Sequence, residues 1–253
     1  MHQTTHPILQ TFLWLLPTTL EISIALRMMS RRLSRTLPVF FLYLVLEIVR
    51  TIFLFLVRKD VYLYFYGYWV TELIGCLMAL WVSKELFDYV FSRNLGLRRL
   101  GDVLFKGSLL VLIVSAVLWA RIAPGTDTAR IIAGILVLKR AVTLVQVGIL
   151  ATLYLSGLGL GLAWDHYVTG IALGFGVYGA VELGAITART IYGRAAETPY
   201  NWTMMSIGNC CVLIWAFYFL LSAGGPAKSP KPIIPDSRML KDWDDAVAGL
   251  LRT

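Results

Sequence analysis

Residues 38–57 read PVFFLYLVLEIVRTIFLFLV. At 1.5 Å per residue, a helix of this length covers about 30 Å, the thickness of a bilayer's hydrocarbon core. The run is apolar except around Tyr43, Glu47, Arg50 and Thr51. Residues three or four apart share a helix face, so these four form one polar stripe on an apolar rod. Glu47 and Arg50 can pair within the helix. A carboxylate in hydrocarbon is costly and must face the bundle interior or water, where it finds partners. The stretch therefore predicts a membrane-crossing helix packed against others.

The same device recurs along the chain. Tyr68/Glu72 and Tyr178/Glu182 repeat the four-residue spacing of Tyr43/Glu47 inside other apolar runs. Glu21 is a fourth acid, one turn after Pro17, where a kink is expected. Glu72 shares its face with Tyr68, Gly75, Cys76 and Ala79, a small surface suited to packing. In the fifth run Lys139, Thr143 and Gln146 share a face. The four acids stand against three bases, Arg50, Lys139 and Arg140, close to the neutrality that a buried pairing network requires. Glu47 lies roughly 14 Å from the inner end of its span and Glu72 roughly 15 Å from the outer end of its own, with Lys139 at about the same depth. Glu21, Tyr43, Glu47, Arg50, Tyr68, Glu72, Lys139, Tyr178 and Glu182 are thus the candidate binding residues of one midplane site. A network that fixes helix registration and a ligand or proton-coupling site are both open at this point.

Composition agrees. The 253 residues are 58% hydrophobic and only 15% charged, against about 25% charged in soluble domains. The fold class is all-α, a polytopic transmembrane bundle. Seven spans are predicted: Pro7–Met29, Pro38–Val57, Tyr62–Ser83, Asp102–Ala120, Thr128–Ser156, Tyr167–Thr190 and Tyr200–Ala223. Lys139 and Arg140 interrupt the fifth. It could start instead at Ala141 and reach Leu162, with Thr128–Arg140 along the outer surface; the longer helix is the preferred reading. The first run has no basic residues before it, so it is expected to remain as a permanent span rather than a cleaved leader. The bundle occupies residues 1–223. A Gly/Pro-rich connector, 224–235, follows. Residues 236–253 then form a cytoplasmic amphipathic helix, capped by Asp236, with an apolar stripe of Leu240, Trp243, Val247 and Leu250.

Lys and Arg in the loops set the orientation. Arg27, Arg31, Arg32 and Arg35 close the first span, Lys84, Arg93, Arg98 and Arg99 follow the third, and five more lie in the tail. The opposite side has Arg58, Lys59, Arg121, Arg130, Arg189 and Arg194. Thirteen against six places the N-terminus outside and the C-terminus in the cytoplasm, in the plasma membrane. Tyr62, Tyr64, Tyr66, Trp69, Trp119, Tyr200 and Trp202 mark the outer boundary. The net charge of +8 is explained by these loops, and nucleic acid is excluded as a partner. Cys76, Cys210 and Cys211 lie in apolar runs, with no disulfide framework.

Partners beyond the lipid bilayer follow from two patterns. Ala172, Gly176, Ala180, Gly184 and Ala188 recur every fourth residue, a small face for packing within the bundle or for a homo-oligomer through Gly176, Ala180 and Gly184. The tail stripe suits docking or a protein partner.

Specific chemistries find no support. Tyr200–Ala223 has no lysine for retinal, and the histidines, His2, His6 and His166, do not form intramembrane pairs for haem. No metal motif, phosphate loop or nucleophile elbow occurs, so no cofactor, metal or catalysis is expected. Seven spans with an external N-terminus are similar to receptor bundles in architecture alone. The leading expectation is a sensor or receptor that binds a small ligand or partner centrally. The rival is a proton- or cation-coupled transporter, for which Tyr68-x-x-x-Glu72-Leu73 and Tyr178-x-x-x-Glu182-Leu183 resemble an inverted repeat. A third reading is a non-catalytic subunit of a membrane complex. Reporter fusions after Ser30, Asn94 and Ala223 should all read cytoplasmic. An external signal after Ala223 removes the seven-span topology.

Overall fold

Local sequence places the helix starts. Asp60 accepts hydrogen bonds from the Tyr62 and Leu63 amides at 3.1 and 3.0 Å, an N-cap of the helix that follows. Asp165 accepts from Tyr167 N at 3.2 Å and does the same for the next helix but one. The Pro38 helix begins at Leu37, which has no side-chain cap. Its exposed amides are met from elsewhere: Val39 N and Phe40 N donate to the two carboxylate oxygens of Glu85 at 2.8 and 2.9 Å. An anion at a helix N-terminus is stabilising by roughly 0.3–2 kcal/mol.

The computed structural model describes residues 7–91, 105–107, 110, 114, 118, 127–160, 165–192 and 197–221. Among them there are helices and no strand. The long helices are α1 (Pro7–Ser30), α2 (Pro38–Val57), α3 (Val61–Val90), α4 (Asp127–Leu160), α5 (His166–Tyr192) and α6 (Glu197–Ala216), the last continued by a π-helical turn, Phe217–Leu221. Five segments are long and apolar enough to cross a membrane: Pro38–Val57, Val61–Val90, Gly134–Leu155, His166–Ala188 and Thr198–Leu221. The predicted fourth span falls outside the described residues except at 105–107, 110, 114 and 118, which are helical. The connector 224–235 and tail 236–253 also lie outside them.

The third helix ends later than the sequence predicts, and the fourth follows the preferred reading. α3 runs on past Ser83 to Val90, because its polar residues find partners there. Lys84 pairs with Asp88 at 2.5 Å, and Glu85 caps α2. α4 is one helix across Lys139, in keeping with the longer reading. Arg140, counted among the intramembrane bases, is exposed and takes no part in the interior.

Each helix packs on the next, and α6 packs on α1, so the six close into a ring. Contacts give their directions. Arg50 meets Glu72 and Val39 meets Glu85, so α2 and α3 are antiparallel. Glu72 meets Lys139, and Leu86 shares a core with Leu150 and Leu153, so α3 and α4 run parallel. α4 and α5 are antiparallel, as are α5 and α6. Glu21 lies near Cys211, and Met28 shares a core with Phe219, so α6 runs parallel to α1.

The ring is polar inside and apolar outside. Glu182 and Glu21 are 2% and 7% exposed, whereas Leu56 and Leu155 are 72% and 70% exposed. A water-soluble protein rarely presents such a surface; hydrocarbon solvates it. One end of the ring is solid. Phe40, Phe175, Trp215 and Phe219 meet there with ring centroids 5.0–6.5 Å apart, together with Tyr167, Leu86 and Leu153. This is the end that carries Arg27, Arg31 and Arg35, and Arg31 donates to the Tyr167 hydroxyl at 2.8 Å.

The close approach of α5 to α6 uses Gly170 and Gly174. A Cβ on the first would collide with the Tyr218 ring, and on the second with the Trp215 indole. The predicted small stripe does not stay on one face. Ala172 is fully buried, yet Ala180 and Gly184 are exposed, and a Cβ on Gly184 would meet nothing within 4 Å. A four-residue repeat drifts by about 40° per step against a 3.6-residue helix, so the stripe turns from the core to the surface.

Candidate functional site

The interior polar residues form a chain of alternating charge across four helices. On α2, Arg50 Nη1 lies 3.5 Å from Glu47 Oε2. Arg50 Nη2 donates to Glu72 Oε2 on α3, and its guanidinium sits over the Tyr68 ring, 5.6 Å from the centroid. The other Glu72 oxygen accepts from Lys139 Nζ on α4. Lys139 in turn is 3.0 Å from Glu182 Oε1 on α5, an ion pair rather than an aligned hydrogen bond. Thr143 Oγ1 donates to Glu182 Oε2 at 2.8 Å. The order is therefore Glu47, Arg50, Glu72, Lys139, Glu182, each a neighbour of the next.

Local sequence allows this. Gly75 follows Glu72 by three residues and leaves room on the same face. A Cβ there would lie 3.0 Å from Glu47 Oε1 and 3.6 Å from Arg50 Nη1, so the absence of a side chain lets the two helices share their charges. Each charged group sits roughly 10 Å or more from both ends of its helix. Water is scarce at that depth, and an unpaired charge is far costlier than a paired one.

Beside the chain lies a cavity of about 310 Å³, near the lower end of the range for small-molecule sites. All six helices line it: Pro17, Thr18 and Glu21 from α1; Tyr43, Glu47, Arg50 and Thr51 from α2; Glu72, Gly75, Cys76 and Ala79 from α3; Lys139 and Thr143 from α4; Phe175, Tyr178 and Glu182 from α5; and Met204, Met205, Gly208, Asn209, Cys211, Val212 and Trp215 from α6. The aromatic cluster of Phe40, Phe175, Trp215 and Phe219 closes it toward the solid end.

Of the nine residues singled out from sequence, eight line this cavity, and Tyr68 flanks it against Arg50. The tyrosine four residues before each glutamate is not its hydrogen-bond partner among the described residues. Glu72 and Glu182 take cations from other helices instead, Glu47 pairs with Arg50 on its own helix, and Tyr43 and Tyr178 face the cavity. Gln146, on the Lys139 face, is buried two turns further along, and among the described residues its Nε2 finds no hydrogen-bond partner. Sequence reasoning passed over the α6 wall and Thr18, which carry no charge to flag them, and Glu85, which lies past the expected end of its span. Cys76, Cys210 and Cys211 are free, and among the described residues no three His, Cys, Asp or Glu side chains are grouped to hold a metal ion.

Comparison with protein-family models, with characterised proteins and with solved structures finds no match to this chain.

A substitution at Gly75 tests the site's geometry. Gly75→Val places two methyl groups against Glu47 and Arg50 and should destabilise the purified protein by about 1–3 kcal/mol, as overpacking does. Gly148→Val, where a Cβ meets nothing within 4 Å, should leave the melting temperature nearly unchanged. Equal melting of the two variants would mean that α2 and α3 do not share their charges at Gly75.

Proposed function

We propose that this chain is a sensor or receptor of the plasma membrane that binds a small polar molecule in the central cavity. The observation that carries the reading is that all six long helices contribute to one cavity lined by ionic side chains. A purely structural network would have no need of an adjoining void of that size. At about 30 Å³ per water, the cavity holds on the order of ten waters, or a metabolite of comparable bulk.

The proposal includes seven crossings, with the N-terminus outside and the tail in the cytoplasm. Parallel α3 and α4 support it. The chain leaves α3 at the solid end and enters α4 at the other, the arrangement that a further crossing between them would give. α1 and α6 are also parallel, so the start of α1 and the end of α6 lie at opposite ends, as an odd number of crossings requires. The arginines after α1 put the solid end inside, and the cavity then lies toward the outer half. In this reading ligand binding reaches the cytoplasm through the tail stripe of Leu240, Trp243, Val247 and Leu250.

One observation favours transport as a second reading. Glu72 and Glu182, from the two matching Tyr-x-x-x-Glu-Leu segments, hold the same Lys139 from antiparallel helices. A lysine poised between two carboxylates can change partner during a cycle.

Gly208 offers the test. It lines the cavity, and a Cβ there meets nothing within 4 Å. Gly208→Phe should fill the space and leave the fold intact. A screen of small metabolites against the wild-type protein should find compounds that raise its melting temperature, and Gly208→Phe should abolish the response. The ligand-site reading falls if no compound acts on the wild type, or if Gly208→Phe responds equally. Flux of such a compound into proteoliposomes would select the transporter over the sensor.

A further inference from the structure

The charges around the cavity are unevenly matched. Glu72 receives both Arg50 and Lys139, and Glu182 receives Lys139 and the Thr143 hydroxyl. Glu47 has Arg50 alone, 3.5 Å away and already engaged with Glu72. Glu21 has less still. It is 7% exposed and lines the cavity, and no hydrogen bond or ion pair reaches it among the described residues. Its electrostatic neighbours are Glu47 and Arg50 from α2, with Tyr43 and Cys211 nearby. Four carboxylates thus stand against two cations, and the surplus is concentrated where α1 meets α2.

The walls of that corner are aromatic. Tyr43 lies 6.0 Å from Trp215 and 5.3 Å from Phe175, edge to face in both cases, and all three line the cavity. Aromatic faces attract a cation by roughly 0.5–2 kcal/mol, more when water is excluded. An anion there would meet two carboxylates. A bare inorganic ion is a poor match for a space that takes on the order of ten waters.

We propose that the Glu21–Glu47 corner binds the ammonium group of a small organic amine, with Tyr43, Phe175 and Trp215 around its carbon skeleton. This rests on the reading of the cavity as a ligand site and adds the ligand's chemical class. Glu21 and Glu47 serve as counter-ions, and Glu21, which has no protein cation of its own, contributes the larger share of the specificity.

The experiment is a charge series of one shape. Benzylamine, benzyl alcohol and benzoate are titrated separately into the purified full-length protein at neutral pH, with binding read by calorimetry and thermal shift. Benzylamine should bind and raise the melting temperature, and the alcohol and the acid should not do so at the same concentrations. Glu21→Gln should weaken benzylamine by on the order of tenfold or more, the equivalent of one lost charge-assisted contact. Glu21→Asp should retain part of the affinity. Preferential binding of the alcohol or the acid overturns the amine proposal and leaves the cavity as a site for another class. So does unchanged benzylamine affinity in Glu21→Gln. Absence of benzylamine binding to the wild type also overturns it, and the Gly208→Phe comparison then decides whether any ligand site exists. Should Glu21→Gln fail to fold, the wild-type charge series is decisive alone.

Discussion

One carboxylate, Glu72, accepts a cation through each of its two oxygens, Arg50 from α2 and Lys139 from α4. The rest of the interior follows from that constraint. In a low-dielectric core neither base can be left unpaired, and neither can the acid. α2, α3 and α4 are therefore tied at one level. Lys139 extends the tie to Glu182 and so to α5. Registration of four helices is fixed by groups that occupy little of the interface. The apolar residues around them can tolerate small slips, but the charges cannot.

The remaining architecture divides by position along the ring. On one side of the charge chain the helices are sealed by Phe40, Phe175, Trp215, Phe219 and their aliphatic neighbours. Glycines at 170 and 174 bring α5 and α6 close enough for this to happen. Small residues at helix crossings are how membrane bundles gain contact area when lipid removes the hydrophobic drive for association. Beside the chain and away from the seal, the helices do not fill the space between them. The same bundle thus supplies a rigid floor and a polar void above it. The tether sits at one level of the bundle and the hollow lies on one side of it.

Much of this was legible in the residues. Glutamates inside apolar runs identify themselves, because hydrocarbon allows them no other role than an interior one. That argument singles out Glu21, Glu47, Glu72 and Glu182 from sequence alone, and depth counting puts Lys139 at the level of Glu47 and Glu72. It anticipates the Glu47–Arg50 pair within α2 and leaves the pairs between helices open. The Tyr-x-x-x-Glu spacing marks each glutamate within its helix, whereas Glu72 and Glu182 take their cations from neighbouring helices, whose rotation no single-helix pattern encodes. Arg140 was counted with Lys139 because adjacent residues look alike in sequence; on a helix they point about 100° apart, and only one faces inward. Glu85 was missed for the opposite reason. It sits where charges are ordinary, at the expected end of a span, and its service to the α2 amides is visible only in three dimensions. The small-residue stripe was read in the register of Ala172 and Gly184, while Gly170 and Gly174 make the close contact.

The account's central claim is that the interior charges act as one coupled unit, with Glu72 at its centre. A double-mutant cycle on Glu72→Gln and Lys139→Met, with unfolding free energies measured on the purified protein, tests it most directly. The account predicts that the double variant loses much less stability than the sum of the single losses, with a coupling of roughly 1–3 kcal/mol. Additivity within about 0.5 kcal/mol would contradict it and leave the two residues as independent polar groups in separate helices.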